Sequence, residues 1–122
     1  MSTVLNAQAP ATFEIKSASL PLVALLLKSA DLNQLEVELR QRFGDVPDFF
    51  DHDPLLVDLS PLQTGDEAGA PIDFPQLLAL LTQYRLRPLA VRGGSEAQMA
   101  AAVLAGLVPA DDAVIQRAGQ AQ

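Results

Sequence analysis

The sequence predicts an α/β fold, with a mixed sheet that opens with a β-hairpin and then alternates helices and strands in the order β-β-α-β-α-β-α. Three observations support this prediction. The run LPLVALLL (20–27) is apolar throughout, which is typical of a strand buried on both faces. Three later segments carry helix-start signals. Helices that alternate with buried strands imply right-handed crossovers and helices packed on a sheet.

The hairpin is predicted from the segment that precedes this run. FEIK (13–16) alternates apolar and polar residues, which is the period of a half-buried strand, and three small residues connect it to LPLVALLL. The competing interpretation of LPLVALLL is a helix capped by Ser19 with Pro21 in its first turn. A strand is favoured because the next helix begins at Asp31, so two helices would otherwise abut with almost no connection. Pro21 is tolerated near the start of a strand.

The first helix has the clearest signals. Asp31 precedes LNQLEVELRQRF, Gln34 stands where a capping box needs it, and Gly44 follows the last apolar residue. Its apolar residues recur with helical spacing and make one face: Leu32, Leu35, Leu39 and Phe43.

The remaining elements follow the same pattern. PLLVDLS (54–60) and RPLAVRG (87–93) are predicted strands. Asp73 with Gln76 and Ser95 with Gln98 predict the second and third helix starts. LVP (107–109) is an optional last strand. The predicted domain limits are a tail over 1–11, one folded domain over 12–109, and a linker or tail over 110–122.

Composition excludes several functional classes. The 122 residues suit one domain, and 49% are hydrophobic, which is enough for a core. The net charge is −7 and the basic residues are scattered, which disfavours nucleic acid. No run reaches the ~20 apolar residues of a membrane span. The N-terminus lacks the pattern of a secretory signal, and there is no cysteine, so a cytoplasmic location is expected.

A search for chemistry finds no catalytic set. The single histidine, His52, lies between Asp51 and Asp53, but three adjacent side chains cannot converge on one metal ion without a strained loop. The segment VRGGSEAQ (91–98) could present backbone N–H groups to an anion, yet it lacks the phosphate-binding patterns. The sequence therefore predicts a protein-recognition module rather than an enzyme, with no cofactor and no metal.

One alternative rests on DLSPL (58–62), which resembles the strand-then-loop segment of STAS-type regulatory modules. In that family a phosphorylatable serine opens the following helix. Here Phe74 and Pro75 stand in place of the serines, so there is no hydroxyl group to be phosphorylated at these positions. This alternative is a regulatory interaction module without that switch.

An ordered set of segments resembles the N-terminal domain of the MinC family, the bacterial septum-site inhibitors. These segments are FEIKSASLPLVALLLKSAD, VPDFFDHDPLLVDLSPL, RLRPLAVRGGSEAQ and AGLVP, spread over about residues 12–110. The resemblance implies a non-catalytic division inhibitor that binds FtsZ, the tubulin-like GTPase of the division ring, and antagonises its polymerisation. It also implies that MinD binding, and with it recruitment to the membrane at the cell poles, belongs to a C-terminal domain that nothing here resembles. A homodimer formed by exchange of the first strand is a further expectation, because FEIK lies at a sheet edge.

The resemblance also suggests partner-binding residues. The family places FtsZ contacts at a Lys-Gly pair where its first strand ends, which corresponds to Lys16 and Ser17. The change from Gly to Ser removes freedom at positive φ. A basic residue late in the first helix and a phenylalanine in the next loop correspond to Arg42 and Phe49. The residues also allow structural interpretations: Lys16 as an exposed strand-end lysine, Arg42 as a complement to the helix C-terminus, and Phe49 as a core residue.

Overall fold

The secondary structure alternates strands and helices along the chain. The computed structural model describes residues 11–46 and 48–111. The elements in this part of the chain are β1 (Val23–Leu26), α1 (Leu32–Phe43), β2 (Asp53–Asp58), a 3₁₀ helix (Ser60–Thr64), α2 (Phe74–Gln83), β3 (Leu86–Arg92), α3 (Glu96–Leu104) and β4 (Val108–Pro109).

The four described strands form one sheet in the order β1-β2-β3-β4. All three strand pairings are parallel, and the register sets Ala24 beside Leu56, and Leu56 beside Ala90. The predicted α/β class and the alternation of helices and strands are confirmed. LPLVALLL supplies a strand, as predicted, although the strand takes only the segment from Val23 to Leu26. The prediction that this strand is buried on both faces is wrong, because β1 lies at an edge of the described sheet, where Val23 is exposed and the next three residues are only partly buried. The optional last strand at 107–109 is present as β4.

The opening hairpin is the part of the prediction that the structure corrects. Residues 13–22 form neither a helix nor a strand, so the described sheet is parallel rather than mixed. The side chains of Phe13 and Ile15 are 71% and 86% exposed. The alternation in FEIK gives a strand tendency, but a short strand is stable only when its apolar face is buried. Pro21 also lacks the N–H that an antiparallel partner would use, and β1 begins only after it.

The core lies between the sheet and the three described helices. Strand alternation places Leu55 and Val57 on one face of β2, and both belong to a single buried cluster that includes residues of every helix. Leu77 and Leu81 of α2 are fully buried in that cluster. Each such leucine contributes about 1.5–3 kcal/mol relative to an exposed one. The helices therefore share one face of the sheet.

Each helix begins where its capping residue predicts. The side chains of Asp31, Asp73 and Ser95 accept hydrogen bonds from the backbone N–H three residues later. The box is reciprocal only at Ser95, whose N–H donates to Gln98 Oε1 at 2.9 Å. The side chain of Gln34 instead donates to Glu38 at 3.1 Å.

Candidate functional site

The carboxyl ends of β2 and β3 carry a buried polar cluster. Ligands of open α/β sheets usually bind at this end. Here Asp58 is 4% exposed, and its Oδ2 lies 3.1 Å from Arg92 Nη1. Its Oδ1 accepts hydrogen bonds from the N–H and the hydroxyl of Ser60, at 2.9 and 2.6 Å. The carboxylate is therefore occupied by internal partners.

The loop after the 3₁₀ helix is tied across the same end of the sheet. The buried Gln98 side chain donates to the carbonyl of Ala70 at 2.7 Å and accepts from Gln63 at 2.9 Å. On the other side of the loop, Glu67 accepts from the N–H of Ala30 at 2.7 Å and from the hydroxyl of Ser29 at 3.1 Å. These hydrogen bonds fix the loop over the carboxyl ends of the strands.

The anion site considered for VRGGSEAQ has two of its backbone donors engaged. The N–H of Ser95 donates to Gln98, and the N–H of Gly93 donates to Asp111 Oδ1 at 3.2 Å. Backbone donors at a helix start attract an anion when they are free. Here two of them already have acceptors within the protein.

The histidine segment is hydrogen-bonded to the residue that precedes β3. His52 adopts a φ of 60°, and its N–H donates to the carbonyl of Arg85 at 2.8 Å. Arg85 also has a positive φ, and its guanidinium lies 3.8 Å from Asp51. Over residues 11–46 and 48–111, no three potential ligands are grouped for a metal ion. Within the same ranges, no helix has the length and apolar character needed to cross a membrane.

An open groove of about 480 Å³ runs between α1 and β1. Because β1 is the first strand of the sheet order, its outer edge has no strand partner among the described residues. Leu25 and Leu39 contribute to an apolar floor, and the exposed Glu38 and Arg42 add charge. The groove is thus a surface feature with an apolar interior and charged side chains along it.

Three phenylalanine rings cluster where α1 meets the next loop. The ring centroids of Phe43 and Phe49 are 5.1 Å apart, those of Phe43 and Phe50 are 5.0 Å apart, and those of Phe49 and Phe50 are 4.9 Å apart. Phe43 and Phe50 line the groove. Phe49 is 62% exposed, so its alternative interpretation as a core residue is wrong.

Two of the four predicted site residues lie at the groove or next to it. Arg42 lines the groove, and Phe49 packs against two rings that also line it. Lys16 and Ser17 are exposed on the segment that precedes β1, and they are not among the residues that line the groove. Sequence reasoning did not single out Phe50, although the adjacent FF pair in a polar loop was a usable signal.

Fold and groove together define a class: an α/β domain with its helices on one face of a parallel sheet and an open apolar groove beside its edge strand. Residues 13–88 match the family described as septum formation inhibitor MinC, N-terminal domain. The chain belongs to this family.

Individual relatives agree with that assignment. The chain is 39% identical over 94 residues to the probable septum site-determining protein MinC of Bordetella petrii, which covers 77% of this chain and 31% of the relative. It is 38% identical over 121 residues to the protein of the same description from Chromobacterium violaceum, covering 99% of this chain and 46% of the relative. A Pseudomonas aeruginosa relative is 36% identical over 90 residues. The chain thus spans less than half the length of these curated relatives.

Proposed function

We propose that this domain inhibits septum formation by binding FtsZ and antagonising its polymerisation. The observation that carries the proposal is the open groove, which Arg42 lines and beside which the exposed Phe49 packs on Phe43. Membership of the septum formation inhibitor family supports the role in cell division. An apolar groove with charged side chains along it is the kind of surface that a protein partner can cover.

The action proposed is binding without catalysis. The polar side chains at the carboxyl ends of β2 and β3 are engaged by one another, and Asp58 is held by Arg92 and Ser60. The proposed place of action is the cytoplasm. We also propose that MinD binding and recruitment to the membrane at the cell poles depend on a further domain, since the matched regions cover only 31% and 46% of the first two relatives.

Self-association by exchange of the first segment is also proposed. Phe13 and Ile15 are exposed, and the outer edge of β1 has no strand partner in the described part of the chain. An unpaired edge strand is a template for a segment of a second copy. Sedimentation velocity at increasing protein concentration tests this, and a single monomeric species throughout would exclude it.

Point variants test the proposed binding surface. Lys16→Glu, Arg42→Glu and Phe49→Ala are expected to weaken binding to FtsZ, because the first two reverse a charge and the third removes an exposed ring. Arg40→Glu is the matched control for Arg42→Glu, since Arg40 lies on the same helix, is exposed, and is not among the groove-lining residues. Like-charge contacts at an interface can cost several kcal/mol, whereas exposed substitutions usually change stability by within ~0.5 kcal/mol.

Affinity and thermal stability should therefore be measured on the same preparations. The proposal expects a loss of affinity for all three site variants and little change in affinity for Arg40→Glu. The melting temperature should stay unchanged for Lys16→Glu and Arg42→Glu and fall slightly for Phe49→Ala, because the Phe49 ring packs on Phe43 and Phe50. Unchanged affinity for Arg42→Glu and Phe49→Ala at matched stability would contradict binding at the groove. A large drop in melting temperature for Lys16→Glu would make that lysine structural.

A further inference from the structure

We infer that the aromatic patch, defined as Phe43, Val46, Phe49 and Phe50, binds a partner segment that presents an apolar side chain flanked by basic residues. This inference rests on the proposed function in taking FtsZ as the protein that carries the segment, whereas the apolar and basic character of the segment follows from the patch itself. Phe49 is 62% exposed and Val46 is 43% exposed, and the two lie close in the chain. Aromatic side chains in such positions are typical anchors of protein interfaces.

The patch is held in place before any partner arrives. The N–H of Val46 donates to the carbonyl of Phe43 at 3.1 Å, and the N–H of Phe49 donates to the carbonyl of Val46 at 2.9 Å. The rings support one another, with Phe49 edge-on to Phe50 at an interplanar angle of 87°. Phenylalanine has few rotatable bonds, and rings already packed together lose little freedom on binding. The exposed ring is therefore ready to contact a partner without rearrangement.

The loop that carries the rings is acidic. Asp45, Asp48, Asp51 and Asp53 lie within residues 44–53, and Arg42, next to Phe43, is a cation on the groove side of the patch. Asp51 lies 3.8 Å from the Arg85 guanidinium, and this is a partly exposed contact. Asp45 and Asp48 are exposed and form no ion pair with the described residues. A concentration of one sign of charge next to an apolar contact favours cationic partners and raises their association rate.

The backbone beside the patch is also held by a hydrogen bond to the residue before β3. His52 adopts a φ of 60°, which is uncommon for a residue other than glycine, and its N–H bonds to the carbonyl of Arg85. This hydrogen bond ties the end of the acidic loop to the residue before β3.

The groove gives the partner segment a path beyond the patch. Phe43 and Phe50 belong both to the patch and to the lining of the groove. A segment whose apolar side chain contacts Phe49 can therefore continue between α1 and β1, where Leu25, Leu35 and Leu39 are available. In this arrangement the acidic residues contact the basic residues of the partner segment at the aromatic patch, and not along the groove.

Binding to FtsZ tests this chemistry directly. The double variant Asp45→Asn/Asp48→Asn should weaken binding about three- to tenfold, as expected for two exposed charge contacts. The wild-type affinity should fall with added salt, and the difference from the double variant should shrink. The matched control is Asp66→Asn/Glu96→Gln, which removes two exposed acidic groups near the other end of the sheet. Unchanged or tighter binding of the Asp45/Asp48 variant would overturn the inference.

A second probe separates this inference from the choice of FtsZ as partner. Two synthetic peptides are compared, one with a phenylalanine flanked by arginines and one with the same phenylalanine flanked by glutamates. In an NMR titration, the basic peptide should shift the backbone amides of Val46 and Phe49 and the acidic peptide should not. Absence of these shifts would overturn the basic and apolar chemistry. Shifts with the basic peptide, together with no binding of the wild-type domain to FtsZ, would retain the patch and refute the proposed partner.

Discussion

Arg92→Leu should destabilise the domain strongly, because it leaves a buried carboxylate without its cation. Arg92 Nη1 lies 3.1 Å from Asp58 Oδ2 and 3.2 Å from Ser60 Oγ. The side chains of Arg92 and Asp58 are 25% and 6% exposed. The substitution keeps an apolar stem in place and removes only the guanidinium contacts.

The size of the effect follows from what remains around Asp58. Removing one partner of a buried ion pair typically costs 3–5 kcal/mol, roughly the range to expect here. Two features place the cost at about the lower limit, 3 kcal/mol: Ser60 still donates two hydrogen bonds to Asp58, and Arg92 Nε has no partner in the described part of the chain. For a domain of about 100 residues this corresponds to a fall of roughly 12–24 °C in melting temperature.

Urea unfolding of four proteins provides the assay: wild type, Arg92→Leu, Arg92→Leu/Asp58→Asn, and the control Arg87→Leu. Arg87 lies on the same strand and is exposed, so its replacement should change stability by within ~0.5 kcal/mol. Asp58→Asn should recover about 1 kcal/mol in the Arg92→Leu background, because the uncompensated charge is gone. A loss for Arg92→Leu no larger than that for Arg87→Leu would refute the reasoning, and the cluster would then have to be examined as a ligand site.

Further predictions concern the same end of the sheet. Gly93→Ala should lower stability by about 2 kcal/mol or more, because Gly93 has a φ of 76° and a Cβ there would meet the hydroxyl of Ser60 and lie 2.8 Å from its backbone nitrogen. Gly65→Ala is the control, since Gly65 has a φ of −122° and nothing lies within 4 Å of the added Cβ atom. Similar urea midpoints for the two variants would contradict the expected steric clash at Gly93. GTP, ATP or a divalent cation at millimolar concentration should leave the melting temperature unchanged, because a ligand of the native state would raise it. A clear rise would reveal a binding site at an unrecognised position.

The helices and the buried strands could be predicted from local signals. Asp31, Asp73 and Ser95 each precede a run with helical spacing, and all three cap the predicted helices. LPLVALLL was correctly predicted as a strand, because a helix there would have left no room for a connection before Asp31. Its predicted burial on both faces was wrong, since the position of β1 at an edge of the described sheet depends on distant parts of the chain. These capping and spacing signals were sufficient to predict the elements because they depend only on residues close together in the sequence.

The hairpin could not be settled in the same way. FEIK has the alternation of a strand, but strand formation depends on a partner edge and on a surface that covers Phe13 and Ile15, and neither is encoded locally. The predicted site shows the same limit. The match of segments suggested Arg42 and Phe49 individually, whereas the groove that Arg42 lines forms only because α1 packs beside β1. The positive φ of His52 was not predicted from the sequence.

The most direct test of the proposed function is sedimentation of FtsZ polymers with GTP at increasing concentrations of the wild-type domain. The pelleted fraction of FtsZ should fall as the wild-type domain is added. Arg42→Glu should shift this response to higher concentrations of the domain, and Arg40→Glu should follow the wild type. A pelleted fraction that stays constant up to a large molar excess of folded wild-type domain would contradict the claim that this domain antagonises FtsZ polymerisation.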